Sequence, residues 1–74
     1  MSEARHRVLS HVRANSGQSI RQMGAALGLT PNGVHAHLRA ARVDGLSHTD
    51  GGMAGWRLTE RGEALLDAIE RLPL

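Results

Sequence analysis

The stretch from Ser19 to Leu38, SIRQMGAALGLTPNGVHAHL, constrains the fold more than any other, because it carries start and stop signals for two helices with almost nothing between them. Ser19 followed three residues later by Gln22 fits a capping box, in which each side chain satisfies the other residue's backbone amide. Ile20, Met23, Ala26 and Leu27 fall at helical spacing and predict the inward side of a short helix. Gly28 stands where a chain leaving a helix often takes a positive φ. Leu29 is placed to fill the space between two helices. Thr30 is a good N-cap, and Pro31 at the first helical position loses no hydrogen bond. Val34, Leu38 and Ala41 make the inward stripe of the second helix, which runs to about Val43. Asn32, His35, Arg39 and Arg42 lie off that stripe. Gly24 costs a helix interior up to about 1 kcal/mol against Ala, and the expected compensation is close approach of the facing helix.

The flanks extend this unit on both sides. Ala4, Val8 and Val12, with Leu9 beside them, predict a first helix over residues 1–14 with Arg5, His6 and Arg13 toward solvent. Asn15-Ser16-Gly17 ends it, and Gln18 is a candidate for a short extended segment beside a hairpin. Asp44-Gly45 closes the helix that begins at Thr30. Leu46 to His48 and Ala54 to Leu58 read as two strands around the turn Thr49-Asp50-Gly51-Gly52-Met53. Trp56 and Leu58 face inward and Arg57 outward. The glycines lack the strand-before, helix-after context of a nucleotide-binding loop, so they read as a turn. Thr59 caps a last helix, residues 60–72, closed by Pro73. Its apolar stripe is Leu65, Leu66, Ile69 and Leu72; its acidic face is Glu60, Glu63, Asp67 and Glu70.

Size and charge narrow the function. Seventy-four residues allow one domain, 1–74, with a modest core. There is no cysteine, and Trp56 is the only aromatic residue, so Leu, Val, Ile, Met and Ala must build that core. No apolar run approaches a membrane span and no apolar leader is present, which makes the cytoplasm the expected location. The net charge of +2 hides an asymmetry. Residues 1–43 carry six arginines against Glu3 alone, a balance of +5, and residues 44–74 carry three arginines and six carboxylates, a balance of −3. A basic half suits a polyanion, because neutralising phosphates releases condensed counterions. A small, polar and basic helix face held up by a supporting helix is what the DNA major groove admits.

Val34-His35-Ala36-His37-Leu38-Arg39 resembles the V-x-x-H-L-[RK] run of recognition helices in MarR-like and ArsR-like regulators. Asp44-Gly45-Leu46 resembles the lead into their wing, and Trp56-Arg57-Leu58-Thr59-Glu60-Arg61-Gly62 resembles the [YW]-x-L-T-x-[KR]-G that closes it. The resemblance covers about residues 7–70. It implies a mainly α fold with a small β-hairpin, a winged helix-turn-helix: helix-turn-helix 19–43, wing 45–58 and C-terminal helix 60–72. It also implies double-stranded DNA binding by a small transcriptional regulator, and terminal helices that make a homodimer, here through Leu65, Leu66, Ile69 and Leu72. It places His37 at the junction of recognition helix and wing. The wing departs from the family pattern, with Asp50 and no basic residue at its tip.

The candidate DNA-binding residues are Ser19, Arg21, Thr30, Asn32, His35, Arg39, Arg42 and Arg57. Asn32 suits adenine, Arg39 suits guanine or phosphate, and Ser19 and Arg21 stand where a helix N-terminus attracts phosphate. Gly33 and Ala36 let the helix sit deep but leave few side chains to read bases, so discrimination is expected to be modest or to lean on DNA shape. No metal or cofactor is expected: His35 and His37 point roughly 200° apart on a helix and cannot share an ion. No nucleophile and base are spaced for catalysis, so an enzyme is not expected. Two alternatives stay open: a winged-helix protein-interaction module, supported by the acidic wing tip and last helix, and an architectural, excisionase-like DNA-binding protein of a phage or plasmid.

Overall fold

Every helix opens on a side-chain hydroxyl. The computed structural model describes residues 2–51 and 55–72. In order they form α1 (Glu3–Ala14), α2 (Ile20–Leu27), α3 (Pro31–Val43), β1 (Ser47–His48), β2 (Arg57–Leu58) and α4 (Glu60–Glu70). Ser2, Ser19, Thr30 and Thr59 accept from the amides of Arg5, Gln22, Gly33 and Gly62 respectively. Each such cap contributes about 1 kcal/mol. The cap fixes α1 at Glu3, later than the Met1 start expected from periodicity. At the other end α4 stops at Glu70, two residues early, where Arg71 and Leu72 turn in with tighter bonds to Ala68 and Ile69. Met1, Gly52, Met53, Ala54, Pro73 and Leu74 lie outside the described residues, and with them part of the expected hairpin and the expected proline stop.

The helix-turn-helix forms as its signals predict. Ser19 and Gln22 make the reciprocal capping box. Gly28 takes φ 70° and sends the chain across to Thr30. A Cβ on Gly24 would stand 2.7 Å from the Leu29 carbonyl oxygen and 3.5 Å from the Pro31 nitrogen, so the close approach is to the turn and the first residue of α3. Ile20, Met23 and Gly24 are buried, with Leu27 half-buried. Ala26, expected on that side, is exposed, because it lies three residues beyond Met23 on the shoulder of so short a helix and Gly24 holds the inward position. Arg7 donates from Nη2 to the Leu27 carbonyl oxygen at 2.9 Å and closes the C-terminal end of α2.

The core gathers one face of each helix around Val8, Leu9 and Val12 of α1 and Val34, Leu38 and Ala41 of α3. Leu66 of α4 and Leu46 and Trp56 from the ends of the wing complete it. Complete burial of each large aliphatic side chain contributes about 1.5–3 kcal/mol. Leu66 is fully buried and is therefore not available to a second subunit; Leu65 is half-buried against the core, and Leu72 is 63% exposed.

The hairpin is shorter than its alternation suggests. β1 and β2 pair antiparallel with Ser47 opposite Leu58 and His48 opposite Arg57. Leu46 drops out because its amide donates to the Ala41 carbonyl at 2.8 Å. Trp56 drops out because its carbonyl accepts from Gly17, and Gly55 turns the chain at φ 80°. The Gly17 bond is the one link between the 15–18 segment and the hairpin among the described residues; Gln18 instead accepts from His11 Nε2 at 2.6 Å.

Three further ties fix the wing to the helices. Buried Ser47 donates to the Leu38 carbonyl at 2.9 Å, Thr59 Oγ1 donates to the Gly45 carbonyl at 2.6 Å, and the Thr59 amide donates to the Leu46 carbonyl at 3.1 Å. A Cβ on Gly62 would collide with that same Leu46 carbonyl. Gly62→Ala is expected to lower stability by about 1–3 kcal/mol through overpacking, in spite of the better helix propensity of Ala. Thermal unfolding followed by circular dichroism checks this; a melting temperature at or above that of the parent contradicts the close approach.

Candidate nucleic-acid interface

The spacing of Asn32, Ala36, Arg39 and Val43 places them on one side of α3, opposite Val34, Leu38 and Ala41. All four are exposed, and so is Arg42 at the edge. Val43, expected only as the helix end, is 87% exposed, the most exposed large apolar residue among the described residues. Its position four residues after Arg39 is the signal that places it on this side.

His35 differs from its neighbours. It is half-buried, and its ring and that of Trp56 meet in a T-shaped arrangement, with 6.3 Å between centroids and 70° between planes. The family resemblance implies His37 at the helix–wing junction; His37 is half-buried, and the ring contact to Trp56 belongs to His35. Trp56 Nε1 is buried with no hydrogen-bond partner among the described residues.

The structure divides the arginines into two groups. Arg5 pairs with Asp44 at 3.4 Å, Arg7 holds the Leu27 carbonyl, Arg13 pairs with Asp67 at 3.0 Å and also with Glu70, and Arg57 pairs with Asp50 at 3.4 Å. Arg21 on α2 and Arg39 and Arg42 on α3 are exposed and make no hydrogen bond or ion pair among the described residues. The side chains of Arg61 in α4 and of Arg71 just after it likewise make no hydrogen bond or ion pair among the described residues. The cations of the helix-turn-helix are thus uncommitted, and the arginines of α1 are occupied within the molecule.

Backbone donors accompany these charges. The Ile20 and Arg21 amides at the start of α2, and the Asn32 amide at the start of α3, have no protein partner among the described residues. Unpaired N–H groups and the positive end of the helix dipole favour an anion there. Ser19 and Thr30 accept from backbone amides, which leaves each hydroxyl proton able to donate outward. Arg57 stands on the exposed side of the wing stem, held by Asp50. Glu60 and Glu63 are exposed in the first turn of α4, and Asp67 and Glu70 clasp Arg13. Among the described residues no three His, Asp or Glu side chains gather as metal ligands, and no helix is long and apolar enough to cross a membrane.

Residues 1–46 match a family model described as winged helix-turn-helix DNA-binding. Among solved structures, the transcriptional repressor CouR superposes with a TM-score of 0.85 at 25% identity, over 96% of this chain and 52% of that one. The MarR/EmrR family transcriptional regulator from Acinetobacter sp. ADP1 superposes with a TM-score of 0.84 at 18% identity, over 95% of this chain and 51% of that one. FabT of Streptococcus pneumoniae, solved in complex with DNA, gives a TM-score of 0.80 at 14% identity, over 96% of this chain and 53% of that one. The chain thus spans about half the length of these proteins. No curated protein matches it by sequence. The family match spans more than half of the chain, and the fold superposes on these structures over nearly its whole length: the chain belongs to the winged helix-turn-helix DNA-binding family.

Proposed function

We propose that residues 1–74 act as one DNA-binding domain of a small transcriptional regulator and read duplex DNA with α3 in the major groove. The observation that carries this reading is the division of the arginines: Arg21, Arg39 and Arg42 stand exposed and unpaired on the helix-turn-helix. Asn32 hydrogen-bonds an adenine edge, and Arg39 a guanine edge or a phosphate. His35, half-buried beside Trp56, offers an imidazole nitrogen to a base edge or a phosphate. Arg21 and Arg42, the Ser19 and Thr30 hydroxyls and the free amides of α2 grip phosphates on either side, and Arg57 is the contact from the wing stem. The exposed Val43 extends this side toward the C-terminal end of α3. Gly33 and Ala36 give depth but few base contacts, so part of the selectivity comes from DNA shape. The likeness to FabT, whose structure contains DNA, supports this reading.

The regulator works as a homodimer. Exposed Leu72 and half-buried Leu65 and Ile69 offer the apolar contact, at the end of α4 remote in sequence from the reading helix. A two-fold dimer presents two reading helices to a palindromic site.

Arg39→Ala is expected to weaken binding to a duplex selected from a random pool by about 1–3 kcal/mol, roughly 5- to 150-fold, and Glu63→Ala to leave it unchanged. Anisotropy titration of the labelled duplex measures both; parent-like affinity of Arg39→Ala overturns the assignment of the reading face. Sedimentation equilibrium tests the dimer: a mass that rises with concentration to twice that of the chain is expected, and a concentration-independent monomer removes the dimer.

A further inference from the structure

The wing carries its own counter-charge at the point where its basic groups meet. The register of the hairpin sets His48 directly opposite Arg57, and both side chains are about half exposed. Asp50 reaches back from the turn to both: its Oδ1 lies 3.1 Å from His48 Nε2 and its Oδ2 lies 3.4 Å from Arg57 Nη1. The carboxylate itself remains 74% exposed, so the three groups share one solvent-facing surface. Arg39 and Arg42 of α3 have no such partner.

We propose that Asp50 is an internal stand-in for a DNA phosphate, which holds down the wing's share of DNA affinity and leaves most of the binding to α3. This rests on the reading of the helix-turn-helix as a DNA-binding face. A phosphate that approaches Arg57 must displace Asp50, so the wing exchanges one ion pair for another where a free arginine would add one. After the exchange the Asp50 carboxylate stays beside the phosphate, and like charges oppose each other at that distance. The exposed pair is weak in water and yields to a competing anion, which makes the exchange feasible. The consequence is selectivity: phosphate contacts bind every sequence equally, and damping them at the wing favours the base contacts of α3.

Asp50→Asn tests this with little risk to the fold, because Asn-Gly serves a tight turn as well as Asp-Gly. The probe is a labelled random-sequence duplex titrated over a range of salt concentrations. Asp50→Asn is expected to bind roughly three- to tenfold more tightly at low salt, with the slope of log K against log salt steeper by about one, the signature of one added phosphate contact. Arg57→Ala in the Asp50→Asn background is expected to erase the gain. Glu63→Gln removes the same unit of charge from α4 and is expected to have no effect. A wild-type chain that ignores the duplex at low salt overturns the DNA-binding reading and this proposal together. A wild type that binds, with Asp50→Asn equal to it, overturns this proposal alone; so does a gain that survives Arg57→Ala or is matched by Glu63→Gln.

Discussion

The contact between Gly24 and the backbone of the turn is the constraint on which the arrangement depends. With the Leu29 carbonyl oxygen 2.7 Å from where a Cβ would stand, α2 and the start of α3 meet backbone to backbone. Gly28 supplies the positive φ that makes so short a crossing possible, and Arg7 secures the end of α2 from behind. Val34, Leu38 and Ala41 are thereby driven into the core, and the opposite side of α3 has no option but to face outward. The exposed side is a consequence of the packed one.

A second consequence concerns charge. A small domain with a modest core has little to gain from exposed ion pairs, each worth roughly 0–1 kcal/mol. The distribution of such pairs is nonetheless uneven: Arg5 and Arg13 of α1 and Arg57 of the wing meet carboxylates, and the helix-turn-helix leaves Arg21, Arg39 and Arg42 without a partner among the described residues. Free cations beside unpaired helix amides form a surface that a polyanion stabilises and water alone does not.

Most of the architecture is legible in the residues because its signals are local. Hydroxyl caps, the Gly28 stop, Pro31 and the period of Val34, Leu38 and Ala41 act within one or two turns of chain. The errors arise where partners are distant in sequence. Trp56 alternates like a strand residue, yet Gly17, from before α2, captures its carbonyl. Leu66 belongs to an apolar stripe that suits a dimer, yet α1 and the wing have already buried it. The candidate site follows the same division. Asn32, Arg39 and Arg42 are exposed as their spacing requires. The partial burial of His35 on Trp56 and the capture of Arg57 by Asp50 depend on how the hairpin folds back, which no local pattern encodes.

The central claim is that the outer side of α3, with the start of α2, is where a duplex lies. Backbone amide spectra of isotope-labelled protein, recorded as duplex DNA is added, test it most directly. The account predicts that the largest shifts fall on Ile20, Arg21 and the amides from Asn32 to Arg39, with α4 from Glu63 to Glu70 nearly still. Shifts concentrated on α4, with α3 unmoved, would contradict it.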